Sequence, residues 1–326
     1  MRNVSTPQTI AHYNLLERLG SGALGEVYRA RDLKVGRTVA LMAPAAELTA
    51  GAARDQFLKD ARLAAALNHP NIATLFDVVE HDGRCYLAYE FAAGPSLRDE
   101  IGGRSVNVRR AVELAAQVAD ALAEGHSRGL VHGDLRPENI VVTPKGSAKI
   151  LNFGLARWTL GGQARAKAAS SNGLGDDPQG VAGYLSPEQA LGGTIDERSD
   201  IFSFGTVLYE MLTGRCPFAG ATPAATLMNV ITATPSPPSQ SGSTIPPDLD
   251  ALIARTLSKP VDARPAGALV VSSDLRRIAT ALDMREGQAR PAELIPPPRP
   301  ASGGSGRIAL MIGGVVLLVA LVLWFI

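Results

Sequence analysis

Gly20-Ser21-Gly22-Ala23-Leu24-Gly25-Glu26-Val27 fits the spacing G-x-G-x-x-G-x-V and lies between two strand-like runs, Leu15 to Leu19 and Glu26 to Ala30. Glycines let a backbone turn approach phosphates closely, offering amide hydrogens with no side chain in the way. A helix after such a turn would suit a dinucleotide fold, but here a second strand follows. The turn therefore joins strand to strand.

A third strand-like run, Thr38 to Met42, comes next. Ala52 to Leu67 reads as a helix with Phe57, Leu58, Ala61, Ala64, Ala65 and Leu67 on one side. Beyond residue 95 helices dominate: Val108 to His126 carries Val112, Leu114, Val118 and Leu122 at helical spacing, and Asp200 to Thr213 stops at Gly214. The expected architecture is α+β in two lobes, a small β-rich one over residues 13–92 and a larger helical one over 93–284, after an N-terminal tail of residues 1–12. A composition 46% hydrophobic and 19% charged excludes a disordered chain. The net charge of +1 gives no reason to expect nucleic-acid binding. Cys85 and Cys216 match no metal or redox spacing and read as free thiols.

The C-terminal end is different in kind. Ile308 to Ile326 is an uninterrupted apolar or glycine run of 19 residues, which as a helix reaches about 28 Å. That is close to the roughly 30 Å hydrocarbon core, so one transmembrane helix is expected over 308–326, in the manner of a tail anchor. Arg285, Arg290, Arg299 and Arg307 precede it and favour a cytoplasmic domain on a single-pass membrane protein. Residues 285–307, with Pro296-Pro297-Pro298-Arg299-Pro300 and then Ser302-Gly303-Gly304-Ser305-Gly306, read as a tether, stiff and then floppy. Ala309, Gly313 and Ala320 fall near one face of the span and offer a surface for a homodimer.

From His132 onward the motifs become specific. His132-Gly133-Asp134-Leu135-Arg136-Pro137-Glu138-Asn139 is similar to H-R-D-L-K-P-E-N, and Asn152-Phe153-Gly154, thirteen residues beyond Asn139, to D-F-G. Ser186-Pro187-Glu188 resembles A-P-E, and Arg264 lies in Asp262-Ala263-Arg264-Pro265. In this order, over Tyr13 to Leu282, the chain resembles the bacterial serine/threonine (Hanks-type) protein kinases. The resemblance implies an ATP site in which Gly20, Gly22 and Gly25 cover the phosphates, Val27, Ala40 and Val141 sandwich adenine, and Glu90 and Ala92 form the hinge, with Tyr89 at the back of the pocket. It implies Asp134 as proton acceptor, Asn139 as metal ligand, Arg136 near the γ-phosphate, Asp200 holding the catalytic loop, and Glu188 paired with Arg264.

The chain departs from the pattern where the chemistry lies. Met42 replaces the lysine for the α- and β-phosphates and has neither charge nor donor. Asp60 stands for its helical glutamate partner. Asn152 replaces a metal-binding aspartate, keeping a carbonyl oxygen but losing the charge, so it is a weak metal ligand beside Asn139. Gly133 replaces an arginine that receives an activation-segment phosphate, and Val181 a threonine of the substrate-side loop. Losing one preorganised contact costs about 10²–10³ in rate. Two such losses against about 1–100 s⁻¹ leave turnover on the order of 10⁻² s⁻¹ or less. The leading expectation is a membrane-anchored pseudokinase, a scaffold for other proteins, active kinases or their substrates among them, with ATP held weakly and Mg2+ poorly supported. The alternatives are a weak or unconventional serine/threonine kinase and an ATP-sensing switch. Residues Trp158 to Pro178 read as a mobile segment in which Thr159, Ser170 and Ser171 could accept phosphate.

Overall fold

Alternation along the strands decides which side of the small-lobe sheet each residue faces. In this computed structural model, which describes residues 9–289 except 23, 50, 156–157, 159–180 and 243–244, the sheet is antiparallel with strand order β1-β2-β3-β4-β6-β5. Its strands are β1 (Thr9–Ile10), β2 (Tyr13–Gly22), β3 (Gly25–Asp32), β4 (Thr38–Pro44), β5 (Leu75–His81) and β6 (Arg84–Glu90). On β4, Val39, Leu41 and Ala43 enter one apolar cluster with Tyr13, Tyr86 and Ala88, while Met42 enters another on the opposite face with Leu87 and Tyr89. This is the period of two expected of a strand. Helix α1 (Gly51–Ala65) covers that second face with Phe57 and Ala61, both fully buried. The sheet begins before residue 13: Ile10 of the expected tail pairs with Tyr13 and is buried.

The larger lobe is built around α3 (Val108–Ser127), which follows the short α2 (Leu97–Ile101). Asn107 caps α3 by accepting from Arg110 N, and a nearly continuous apolar stripe from Ala111 to Leu122 is buried. A two-stranded ribbon, β7 (Ile140–Val142) with β8 (Ala148–Ile150), separates the catalytic-loop residues from Asn152. Then come α4 (Pro187–Ala190), α5 (Glu197–Thr213), α6 (Pro223–Thr232), α7 (Pro247–Thr256) and α8 (Ala268–Ala289). Asp196 caps the start of α5, and Gly214, at φ 75, ends it where the sequence places the stop.

Chain contacts divide the protein into Met1–Asp283 and Met284–Ile326. Helix α8 runs through Ala289, inside the stretch expected as tether. The rest of that stretch, the run from Ile308 to Ile326 with Ala309, Gly313 and Ala320, and Thr159, Ser170 and Ser171 lie outside the described residues. Among the described residues no helix is long and apolar enough to cross a membrane.

Candidate active site

The loop His132–Asn139 is held from beneath by one buried carboxylate. Asp200, fully buried on α5, accepts from the backbone N–H groups of His132 at 2.7 Å and Gly133 at 2.6 Å, and pairs with His126 Nε2 at 2.8 Å. Gly133 has φ 64, the left-handed region where a side chain is disfavoured, so glycine relieves strain at the position of the expected arginine. Gln189 Nε2 donates to its carbonyl at 2.8 Å.

Asp134 faces the space between the lobes. Asn139 Nδ2 donates to its backbone oxygen at 2.8 Å and its Oδ2 at 3.2 Å, and Arg136 lies 3.6 Å from Oδ1. Asn152 has φ 60, a conformation asparagine tolerates better than most residues. Its Nδ2 donates to Asn139 Oδ1 at 3.4 Å, so the two amides expected to share a metal are turned toward each other. Phe153 is buried, meets His132 edge-on with centroids 5.3 Å apart, and rests against α3. Only glycine fits beneath it: a Cβ at Gly125 would lie 2.1 Å from Phe153 Cζ.

Above the loop opens a cleft of about 470 Å³. Gly20 and Gly25 border it at the turn, Val27, Ala40 and Val141 at the apolar walls, and Glu90 and Ala92 at the hinge. Asp134, Arg136, Asn139 and Asn152 close its floor, and Met42 and Tyr89 its back. Thus the structure brings the expected nucleotide-site and catalytic residues together around one cleft. Asp60, Gly133 and Val181 lie outside the lining; Val181 is buried under the large lobe's surface.

Met42 is 2% exposed among Leu24, Phe57, Ala61, Leu75 and Leu155. The Tyr89 hydroxyl is buried and has no hydrogen-bond partner among the described residues, and burial pushes its pKa up. Two features of the site escape sequence reading. Lys149 Nζ meets Glu90 Oε2 at 2.6 Å and the Ile72 carbonyl at 3.2 Å, bridging β8 to the hinge. Trp158 Nε1 donates to Asp60 Oδ2 at 2.9 Å. Neither belongs to a motif, and no sequence pattern marks either contact.

Behind the site, Arg264 makes a two-pronged contact with Glu188, 2.8 Å to each oxygen, with its own side chain fully buried. Burial alone would raise the Glu188 pKa, but hydrogen bonds from Arg264 and Ser199 outweigh it and hold the carboxyl at about 2 against an ordinary 4.5.

Residues 13–275 match the family profile described as protein kinase domain. The chain is 38% identical over 299 residues to serine/threonine-protein kinase PknB of Mycolicibacterium smegmatis, a match covering 88% of this chain and 45% of that protein. It is 36% identical over 288 residues to the protein of the same name from Mycobacterium tuberculosis, covering 84% and 44%. The chain thus spans less than half the length of these relatives. The crystal structure of the Mycobacterium tuberculosis PknI kinase domain aligns with a TM-score of 0.64 at 22% identity, covering 84% of this chain and 99% of that one. At that identity the likeness is one of fold.

Proposed function

We propose, from the premise that this chain belongs to the protein kinase family and to its bacterial serine/threonine branch, that it is a slow ATP-dependent serine/threonine kinase. The relatives favour this alternative over the scaffold expectation drawn from Met42 and Asn152. The observation that carries it is Asp134, oriented by Asn139 on a loop gripped by Asp200, opening on the same cleft as the glycine-rich turn and the hinge. A protein hydroxyl placed at Asp134 gives up its proton there as its oxygen bonds to the γ-phosphorus of ATP, and the β–γ bridging bond breaks to leave ADP.

The cleft fits an adenine nucleotide by its size and apolar walls. It fits Mg2+ poorly, because Asn139 and Asn152 are uncharged and bonded to each other. ATP and Mg2+ use is general in the family, so the departure falls on the metal. In this chain the transferring charge is left mainly to Arg136 and the amides of the turn, which accounts for slow turnover.

The test is γ-phosphate transfer by the purified full chain. Turnover on the order of 10⁻² s⁻¹ or less is expected. Asp134→Ala should abolish it, and Met42→Lys with Asn152→Asp should raise it by at least about 10². No transfer above the Asp134→Ala background, together with no gain on double reversion, would refute the kinase reading. The burial of Met42 among apolar side chains would then favour a second reading, a binding module for other proteins or an ATP-sensing switch. Titration with ATP separates those two. The proposal includes location: residues 308–326 span a membrane and hold the domain on its cytoplasmic side, tested by membrane fractionation with and without that segment.

A further inference from the structure

Asp60 lies on α1 and, among the described residues, accepts side-chain hydrogen bonds from Gln56 Nε2 at 2.8 Å and from Trp158 Nε1 at 2.9 Å. The Trp158 ring meets Phe57 edge-on, with centroids 5.4 Å apart and planes at 80°. It also packs against the apolar cluster that contains Met42, Ala61 and Leu155. Leu155 N–H donates to the Asn152 carbonyl at 3.3 Å, and Trp158 N–H to that of Leu155 at 2.9 Å.

We propose that Trp158 is a positioning residue that ties α1 to the stretch following Asn152, in place of the ion pair that Met42 makes impossible. A thioether on β4 has no proton to give a carboxylate. An indole N–H on a carboxylate is a charge-assisted bond, roughly twice as strong as a neutral one, and the edge-on ring contact adds to it. The seat of α1 is therefore set by the stretch after Asn152, and nucleotide phosphates contacting β4 leave it unmoved.

The experiment is hydrogen exchange on the full chain in a Trp324→Phe background, which makes Trp158 the single tryptophan. Trp158→Phe keeps a ring and loses the N–H, while Asp60→Asn keeps an acceptor and Asp60→Ala does not. Amides of Gly51–Ala65 should exchange about tenfold faster or more in Trp158→Phe and Asp60→Ala, the scale of one hydrogen bond to a charged group. Asp60→Asn, which keeps a neutral acceptor, should fall between the parent and Asp60→Ala, and Glu197–Thr213 should be unchanged throughout. Adding Trp158→Phe to Asp60→Ala should bring no further change in α1. Magnesium-ATP should leave α1 exchange in the parent unaltered, and Trp158 emission should shift red in Asp60→Ala. Parent-like α1 exchange in Trp158→Phe, additive effects in the double variant, or a rise spread equally over Glu197–Thr213 would each overturn the proposal. None of these readouts needs turnover, so the result stands apart from the kinase reading.

Discussion

In the large lobe, Arg264 keeps a fully buried guanidinium against both oxygens of Glu188; in the small lobe, Met42 occupies an equally buried position with a thioether among Phe57, Ala61 and Leu75. Each side of the first pair is fixed by more than its partner. Ser199 also donates to Glu188, and Arg264 donates to the carbonyls of Ser258 and Arg198. Removing one charge from such a set strands the other in a dry place. Around Met42 no such debt is visible: the neighbours are apolar, and Asp60 bonds to Gln56 and Trp158. A buried ion pair replaced as a whole by well-packed apolar groups is often neutral or stabilising, whereas half a replacement is costly. The difference teaches that position 42 leaves no buried charge for its neighbours to compensate, while the large lobe's frame rests on a buried pair whose halves depend on each other.

The comparison predicts effects that can be ranked. Glu188→Gln leaves Arg264 uncompensated and should cost about 3–5 kcal/mol in denaturant melts. A loss under 1 kcal/mol would erase the contrast with Met42. The same residue carries a pH signature. Its folded pKa is depressed, so its stabilisation is complete above about 4.5 and disappears as pH falls toward about 2. Across that window the parent should lose more stability than Glu188→Gln.

Gly125→Ala tests the floor between the two regions. Its Cβ would strike the Phe153 ring, and the overpacking should cost about 1–3 kcal/mol by thermal melt. A neutral result would mean that Phe153 has room the structure does not show. The smallest effect has the opposite sign. Tyr89→Phe removes a buried hydroxyl that has no partner among the described residues and should stabilise the protein by about 1 kcal/mol. Destabilisation would reveal a bond to that hydroxyl and weaken the view of the cleft's back as purely apolar.

The fold was legible because its signals are local. The strand alternation of Val39 to Ala43, the α3 stripe and Gly214 at the end of α5 each depend on residues close in sequence. The cleft was legible for another reason: the glycine-rich turn, the hinge and the catalytic loop each keep a recognisable spacing. Contacts between residues far apart carried no such mark. Trp158 and Asp60 are separated by 98 positions and Lys149 and Glu90 by 59, so nothing in either neighbourhood announces the other. Gly133 was read as a lost phosphate receiver; its positive φ supplies a backbone reason for glycine that a one-letter pattern cannot display.

The bridge from Lys149 to Glu90 has a consequence for how a ligand enters. Glu90 is also fixed by its N–H to the Thr74 carbonyl, so one end of the cleft is pinned across three strands' worth of chain. On β4 the register pairs Val39 with Glu90 and Pro44 with Gly25, five residues along the strand, or about 16 Å. A cleft pinned at one end opens like a jaw. On opening, the gap beside Ala92 is expected to change least and the glycine-rich lip most. On the kinase reading, the pinned end would gauge the thickness of a flat ring and the free end would admit phosphate chains of differing length.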